Sequence, residues 1–198
     1  MSELGHQLQT LILNSNDINE IKAFLDGLSD ADRPDAVRCL GPRAQRRLWR
    51  LADGFARVTL DDMVPRDQPP FAPVRHYGRN SLLAFTLFEK RFYRFPDRDD
   101  ALGGANFQHI SKFTGPGYYI ARNDVERGEV LIDYTQVPTE HPEGWPPIVP
   151  NERGVSRFIY GNMIDTLRRV SEHVTIGHAA RHGKEIPAWF LLCREAQP

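Results

Sequence analysis

Residues 117–135, GYYIARNDVERGEVLIDYT, decide the fold. Gly117–Arg122 and Glu129–Thr135 are two short runs rich in β-branched and aromatic residues, joined by the polar turn Asn123–Gly128. That pattern predicts an antiparallel hairpin. Alternation in its second arm sets Val130, Ile132 and Tyr134 on one face and Leu131, Asp133 and Thr135 on the other.

Working outward, a second hairpin closes the chain: His173–Ala180, a turn at His182-Gly183-Lys184, then Ile186–Arg194. Upstream, the pattern turns β from Val74, with Arg79-Asn80 as a turn and a strand from Ser81 to Phe95. In that strand Glu89 and Arg91 share parity with Leu83, Phe85 and Leu87. If that face is concave they are polar groups in an apolar enclosure; otherwise the strand end protrudes and both are solvated. Between the hairpins, Ile159, Met163, Leu167 and Val170 form a stripe that predicts a helix over 156–171, capped by Ser156. The order is ββ, a short irregular or helical piece, ββ, a long loop, α, ββ. Hairpins outnumber crossovers, so the sheet is expected to be mostly antiparallel and curved, packed on that one helix.

The first 57 residues read differently. Leu4, Leu8, Leu11 and Ile12, then Ile18, Ile21, Leu25 and Leu28, then Ala44, Leu48, Leu51 and Phe55 are spaced as apolar helical stripes. Asp17 stands among the candidate caps before the second stripe, and Pro42 suits the first turn of the last. The fold class is therefore α+β. Its expected parts are a helical module at 1–60, a proline-rich linker at 61–73, and a sheet-plus-helix domain at 74–198. Nine of the 15 prolines fall in 65–73 and 138–150. The second of these segments, loop 138–151 around Trp145, is either a strap over a pocket or a connector packed on the sheet edge.

Charge and composition exclude several classes. Twenty-five Lys and Arg against 26 Asp and Glu leave no basic excess for a nucleic-acid scaffold. A 40% hydrophobic content is too high for a disordered chain, and no run approaches the ~18 apolar residues of a membrane span. Met1–Gly5 carries neither the basic flank nor the apolar core of a secretory leader. The two cysteines, Cys39 and Cys193, lack metal or redox spacing, so free thiols in a reducing cytoplasm are expected. Seven histidines show no HExxH or zinc-type pattern; His173 and His178, five apart, point to opposite faces of a strand. No metal and no cofactor is expected.

Candidate site residues follow from these placements. Thr114-Gly115-Pro116-Gly117 is a tight turn leading into Tyr118 and Tyr119, a candidate pocket mouth. Phe85, Tyr118, Tyr119 and Trp145 supply contact area for a small apolar or aromatic ligand, and Arg91 supplies polarity. His109 and His173, paired with Asp133 or Glu89, are the acid–base candidates. The leading expectation is a cytoplasmic small-molecule-binding protein. The first alternative is a metal-free isomerase, dehydratase or cyclase using a His–carboxylate pair in the same pocket. The second is an interaction module. There the arginines between Ala36 and Arg57 (Arg38, Arg43, Arg46, Arg47, Arg50 and Arg57, against Asp53) meet a protein partner or a second copy through residues 1–57.

Overall fold

A computed structural model describes residues 2–82, 86–107, 117–149, 151 and 161–196. Four helices open the chain: α1 (Glu3–Asn14), α2 (Ile18–Asp26), α3 (Asp32–Arg38) and α4 (Pro42–Leu51). The apolar stripes explain them, and local chemistry sets their ends. Ser2 accepts a hydrogen bond from the Gly5 amide, Asp17 accepts one from Asn19, and Pro42 occupies the first turn of α4. A fifth, single-turn helix, α5 (Leu60–Met63), is closed by a capping box between Thr59 and Asp62.

Eight strands follow: β1 (Val74–Asn80), β2 (Leu87–Arg94), β3 (Ala101–Phe107), β4 (Tyr118–Asp124), β5 (Glu129–Asp133), β6 (Met163–Arg169), β7 (Val174–Arg181) and β8 (Lys184–Arg194). Each pairs antiparallel with the next, and β8 returns to β1 with Gly78 opposite Leu192, so the sheet is a closed barrel. Both hairpins expected from the sequence are present, as β4–β5 and β7–β8.

Three expectations are corrected. The sheet is antiparallel and curved as expected, but it closes on itself instead of packing on one helix, so the barrel has no edge strand. Residues 163–169, expected to be helical, are strand β6. Met163 and Leu167 are four apart, a spacing that shares a face in both a helix and a strand, so the stripe did not discriminate. The piece between the first two strand pairs is strand β3, whose Gly103 and Gly104 weaken any β signal. Those glycines are needed for space. A Cβ on Gly103 would lie 2.3 Å from the Tyr93 ring outside the barrel, and one on Gly104 would lie 2.3 Å from the Tyr119 ring inside it.

Two cores result. One lies inside the barrel and includes Val74, Phe88, Phe92, Leu102, Tyr119, Val130, Ile132, Leu167, Phe190 and Leu192. The other lies between the helices and the outside of the barrel, where Leu8, Ile21, Val37 and Leu48 meet Val174, Ile176, Leu191 and Cys193. One end of the barrel is plugged. Leu60 and Met63 of α5, with Val64, join the interior core there, and polar ties from five strands hold them. Asn123 accepts from the Leu60 amide (3.0 Å), Arg94 pairs with Asp61 (2.7 Å), and Arg194 donates to the Asp62 carbonyl (3.1 Å). Arg169 pairs with the Asp62 carboxylate, and His76 bonds the Met63 carbonyl (2.9 Å). Burial holds the His76 pKa down at about 3, so the ring is neutral and donates to that carbonyl. No helix among the described residues is long and apolar enough to cross a membrane.

Candidate functional site

Strand alternation aims one residue in two into the barrel. On β2 these are Phe88, Lys90 and Phe92; on β6, Met163, Asp165 and Leu167. Lys90 and Asp165 are thus charged residues among apolar ones, and they meet. Lys90 Nζ lies 3.3 Å from Asp165 Oδ2, and both side chains are at least 96% buried. Lys90 also donates to Asn106 Oδ1 (3.0 Å) and to the Tyr134 hydroxyl. Asn106 Nδ2 donates to the same hydroxyl (2.9 Å). Four rings surround the amine, with centroids at 4.8 Å (Tyr134), 5.1 Å (Tyr119), 5.1 Å (Phe190) and 5.8 Å (Phe88). Glycines make room for three of them: Gly78 under Phe88, Gly104 under Tyr119 and Gly177 under Phe190.

The cluster lies toward the end opposite the plug, where Asn106 and Asp165 come from the rim halves of β3 and β6 and Tyr134 follows β5. Burial pushes the Lys90 pKa down, against the pull of Asp165. It pushes the Asp165 pKa up, against the pull of Lys90. Both shifts favour the uncharged forms. Asp165 Oδ1 is buried and accepts no hydrogen bond among the described residues. The pair is neutral as a whole, whichever group holds the proton. A neutral ligand that donates to Oδ1 would complete the cluster without adding buried charge.

The residues singled out from sequence are distributed around this centre. His109 and Phe85 lie outside the described residues, as does the turn 114–116. Of the two tyrosines, only Tyr119 points inward, where its hydroxyl donates to the Arg91 carbonyl (3.2 Å). Tyr118 faces outward. Its hydroxyl donates to the Pro146 carbonyl, and its ring stacks on His141 (5.9 Å) beside Trp145 (6.2 Å). Trp145 meets Tyr93 and Phe107 edge-on at 5.5 and 4.9 Å, so loop 138–149 straps the outer wall.

The face of β2 that carries Glu89 and Arg91 is not the concave one. Glu89 and Arg91 point outward, paired with each other at 2.7 Å, and Arg91 lies over Phe107. Asp133 also faces outward and is consumed by its turn: it accepts from Arg122 (3.0 Å), Gln136 (2.9 Å) and the amide and hydroxyl of Thr135. His173 sits in the β6–β7 turn, at the opposite end of the barrel from Asp133, within 3.4 Å of Arg194 and 3.9 Å of Glu172. Burial lowers its pKa. The structure therefore does not bring His173 to Asp133 or Glu89.

Sequence reasoning missed Lys90, Asn106 and Asp165 as site residues. For Lys90 the signal was present, a lysine at the parity of Phe88 and Phe92. Asp165 becomes visible only once 163–169 is read as a strand.

Outside the barrel, four arginines of α4 (Arg43, Arg46, Arg47 and Arg50) and Trp189 line a groove of about 530 Å³. Arg47 is committed to the carbonyls of Ile12 (2.6 Å) and Ser15 (2.7 Å). Among the described residues no group of His, Cys, Asp and Glu could hold a metal ion. Compared with known proteins, the chain matches no family model, no curated protein and no solved structure, so the reading of the site rests on its own residues.

Proposed function

We propose that the chain binds a small apolar or aromatic ligand inside the barrel, with the ligand's polar end on the Lys90–Asp165–Asn106–Tyr134 cluster. The carrying observation is Asp165 Oδ1, a buried acceptor with no donor among the described residues, on the carboxylate that meets the ring-caged Lys90 amine. The ligand is neutral and bears a hydroxyl or amine donor, because an unpaired charge would cost several kcal/mol to bury there (about 3–5). The aromatic walls give it area, and the cluster gives it orientation. The helices of residues 1–60 buttress the outer wall in this reading. The two free cysteines, with Cys193 held inert by a thiol pKa of about 12, suit a reducing, cytoplasmic setting.

The test uses 2-naphthol, an aromatic body with one neutral donor. Titration calorimetry should show saturable binding to the full chain, weakened about tenfold in Asp165→Asn (~1.4 kcal/mol for one lost bond to a carboxylate). No binding, or equal affinity in the variant, overturns the proposal. Native mass spectrometry of the purified protein would show a co-purified ligand directly.

A further inference from the structure

We propose that Lys90 is a covalent attachment point, forming an imine with an aldehyde or ketone ligand seated in the barrel. This rests on the binding reading above and names the ligand class as a neutral aldehyde or ketone that also carries the hydroxyl donor which meets Asp165 Oδ1. Imine formation needs an unprotonated amine, an acid that can release the carbonyl oxygen as water, and shelter from hydrolysis. The barrel interior brings these together. The amine is buried among four rings, and a carboxyl group lies 3.3 Å from it, with a phenol and an amide fixing its direction. The chain has four lysines; Lys22 and Lys184 are exposed, and Lys112 lies outside the described residues.

The steps balance with the residues present. With the proton on Asp165, the Lys90 lone pair adds to the carbonyl carbon while Asp165 protonates the oxygen. The carboxylate then removes one proton from the nitrogen, leaving a neutral carbinolamine and a protonated Asp165. Asp165 protonates the hydroxyl, which departs as water, and the nitrogen lone pair forms the C=N bond. The product is an iminium ion beside the Asp165 carboxylate.

Charge favours this chemistry over other lysine modifications. The iminium carries the single positive charge of the ammonium it replaces, at the same nitrogen. The carboxylate and the four rings therefore face the iminium as they would face the ammonium form of Lys90, and the site stays neutral as a whole before and after. Acylation of Lys90 would instead leave Asp165 buried with no counter-ion.

The experiment treats the full-length protein with 6-hydroxy-2-naphthaldehyde, which joins the donor and the carbonyl on one aromatic body, and sodium cyanoborohydride, which delivers hydride to an iminium carbon. Intact mass spectrometry and peptide mapping then locate the product. The expected result is one adduct per chain on Lys90, with a mass gain equal to the aldehyde less one oxygen. Excess 2-naphthol should suppress it, and Asp165→Asn should slow it at least tenfold. If 2-naphthol binds but the adducts fall on the N-terminus or any other lysine, covalent attachment is overturned and reversible binding stands. If 2-naphthol does not bind and Lys90 is unmodified, both fail.

Discussion

Removing Lys90 tests the central pair most directly. In Lys90→Met the apolar stem is kept and the amine is lost. Asp165 then has no counter-ion, and Asn106 Oδ1 and the Tyr134 hydroxyl each lose a donor. Breaking one side of a buried pair costs about 3–5 kcal/mol, and each stranded polar atom adds to the upper end. Asp165 has an escape, because it can take up a proton. Its folded pKa, already raised by burial, rises further without Lys90, whereas in the unfolded chain it stays near its ordinary value. Between those two pKa values the folded state binds the extra proton. Stability of the variant relative to wild type therefore falls as pH rises through that window, by at most ~1.4 kcal/mol per pH unit. Urea unfolding of wild type, Lys90→Met, Asp165→Leu and the double variant, at mildly acidic and mildly alkaline pH, gives the full cycle. The double variant should recover most of the loss, since apolar replacement of both partners is commonly neutral or stabilising. Strictly additive single effects, or a Lys90→Met penalty independent of pH, would refute the coupling argued here.

Three further outcomes follow from the same packing. His76 has a folded pKa of about 3 against about 6.5 unfolded, so the unfolded chain binds a proton that the folded one does not. Stability should drop by up to ~1.4 kcal/mol per pH unit below about 6.5, and His76→Gln should show a flatter urea–pH profile. Gly177→Ala should destabilise by about 1–3 kcal/mol in thermal or urea unfolding, because the new Cβ would lie 2.2 Å from the buried Phe190 ring; an unchanged midpoint would contradict that packing. Trp145→Ala should lower stability yet leave the 2-naphthol dissociation constant unchanged, as Trp145 packs outside the barrel; a weakened constant in calorimetry would place the strap at the site.

Legibility in the sequence tracked how local each interaction is. The helical stripes of residues 1–57 and both hairpins were readable because their partners lie within a few residues. Closure was not, since it pairs Gly78 with Leu192, and no pattern within one strand records a partner so distant. Strand β3 was hidden for a physical reason. Its Gly103 and Gly104 are poor strand formers in isolation, yet they clear the volume that the Tyr93 and Tyr119 rings occupy. The site was half legible. Tyr134 shares parity with Val130 and Ile132, which the alternation showed. Asp133, the more conspicuous carboxylate, is spent on Arg122 and its own turn, while Asp165 was concealed inside the presumed helix.

The two ends of the barrel differ in what their buried charges accomplish. At the plugged end, Arg94 donates to the Val64 and Pro65 carbonyls and Arg194 to that of Asp62, so each cation satisfies backbone groups that α5 leaves open. In the helical module, Arg33 does the same for Leu25 and Leu28 at the end of α2. Each of these cations ties its own segment to the backbone carbonyls of another. Among the described residues Lys90 satisfies no carbonyl, and its three hydrogen-bond partners are the side chains of Asp165, Asn106 and Tyr134, which leave Asp165 Oδ1 unsatisfied. Apolar residues at 90 and 165 would fill an aromatic barrel core at no cost in backbone bonding. A structural role thus explains the other buried cations and leaves this one unexplained. A ligand that meets the open oxygen, and an amine that reacts with it, supply the missing reason.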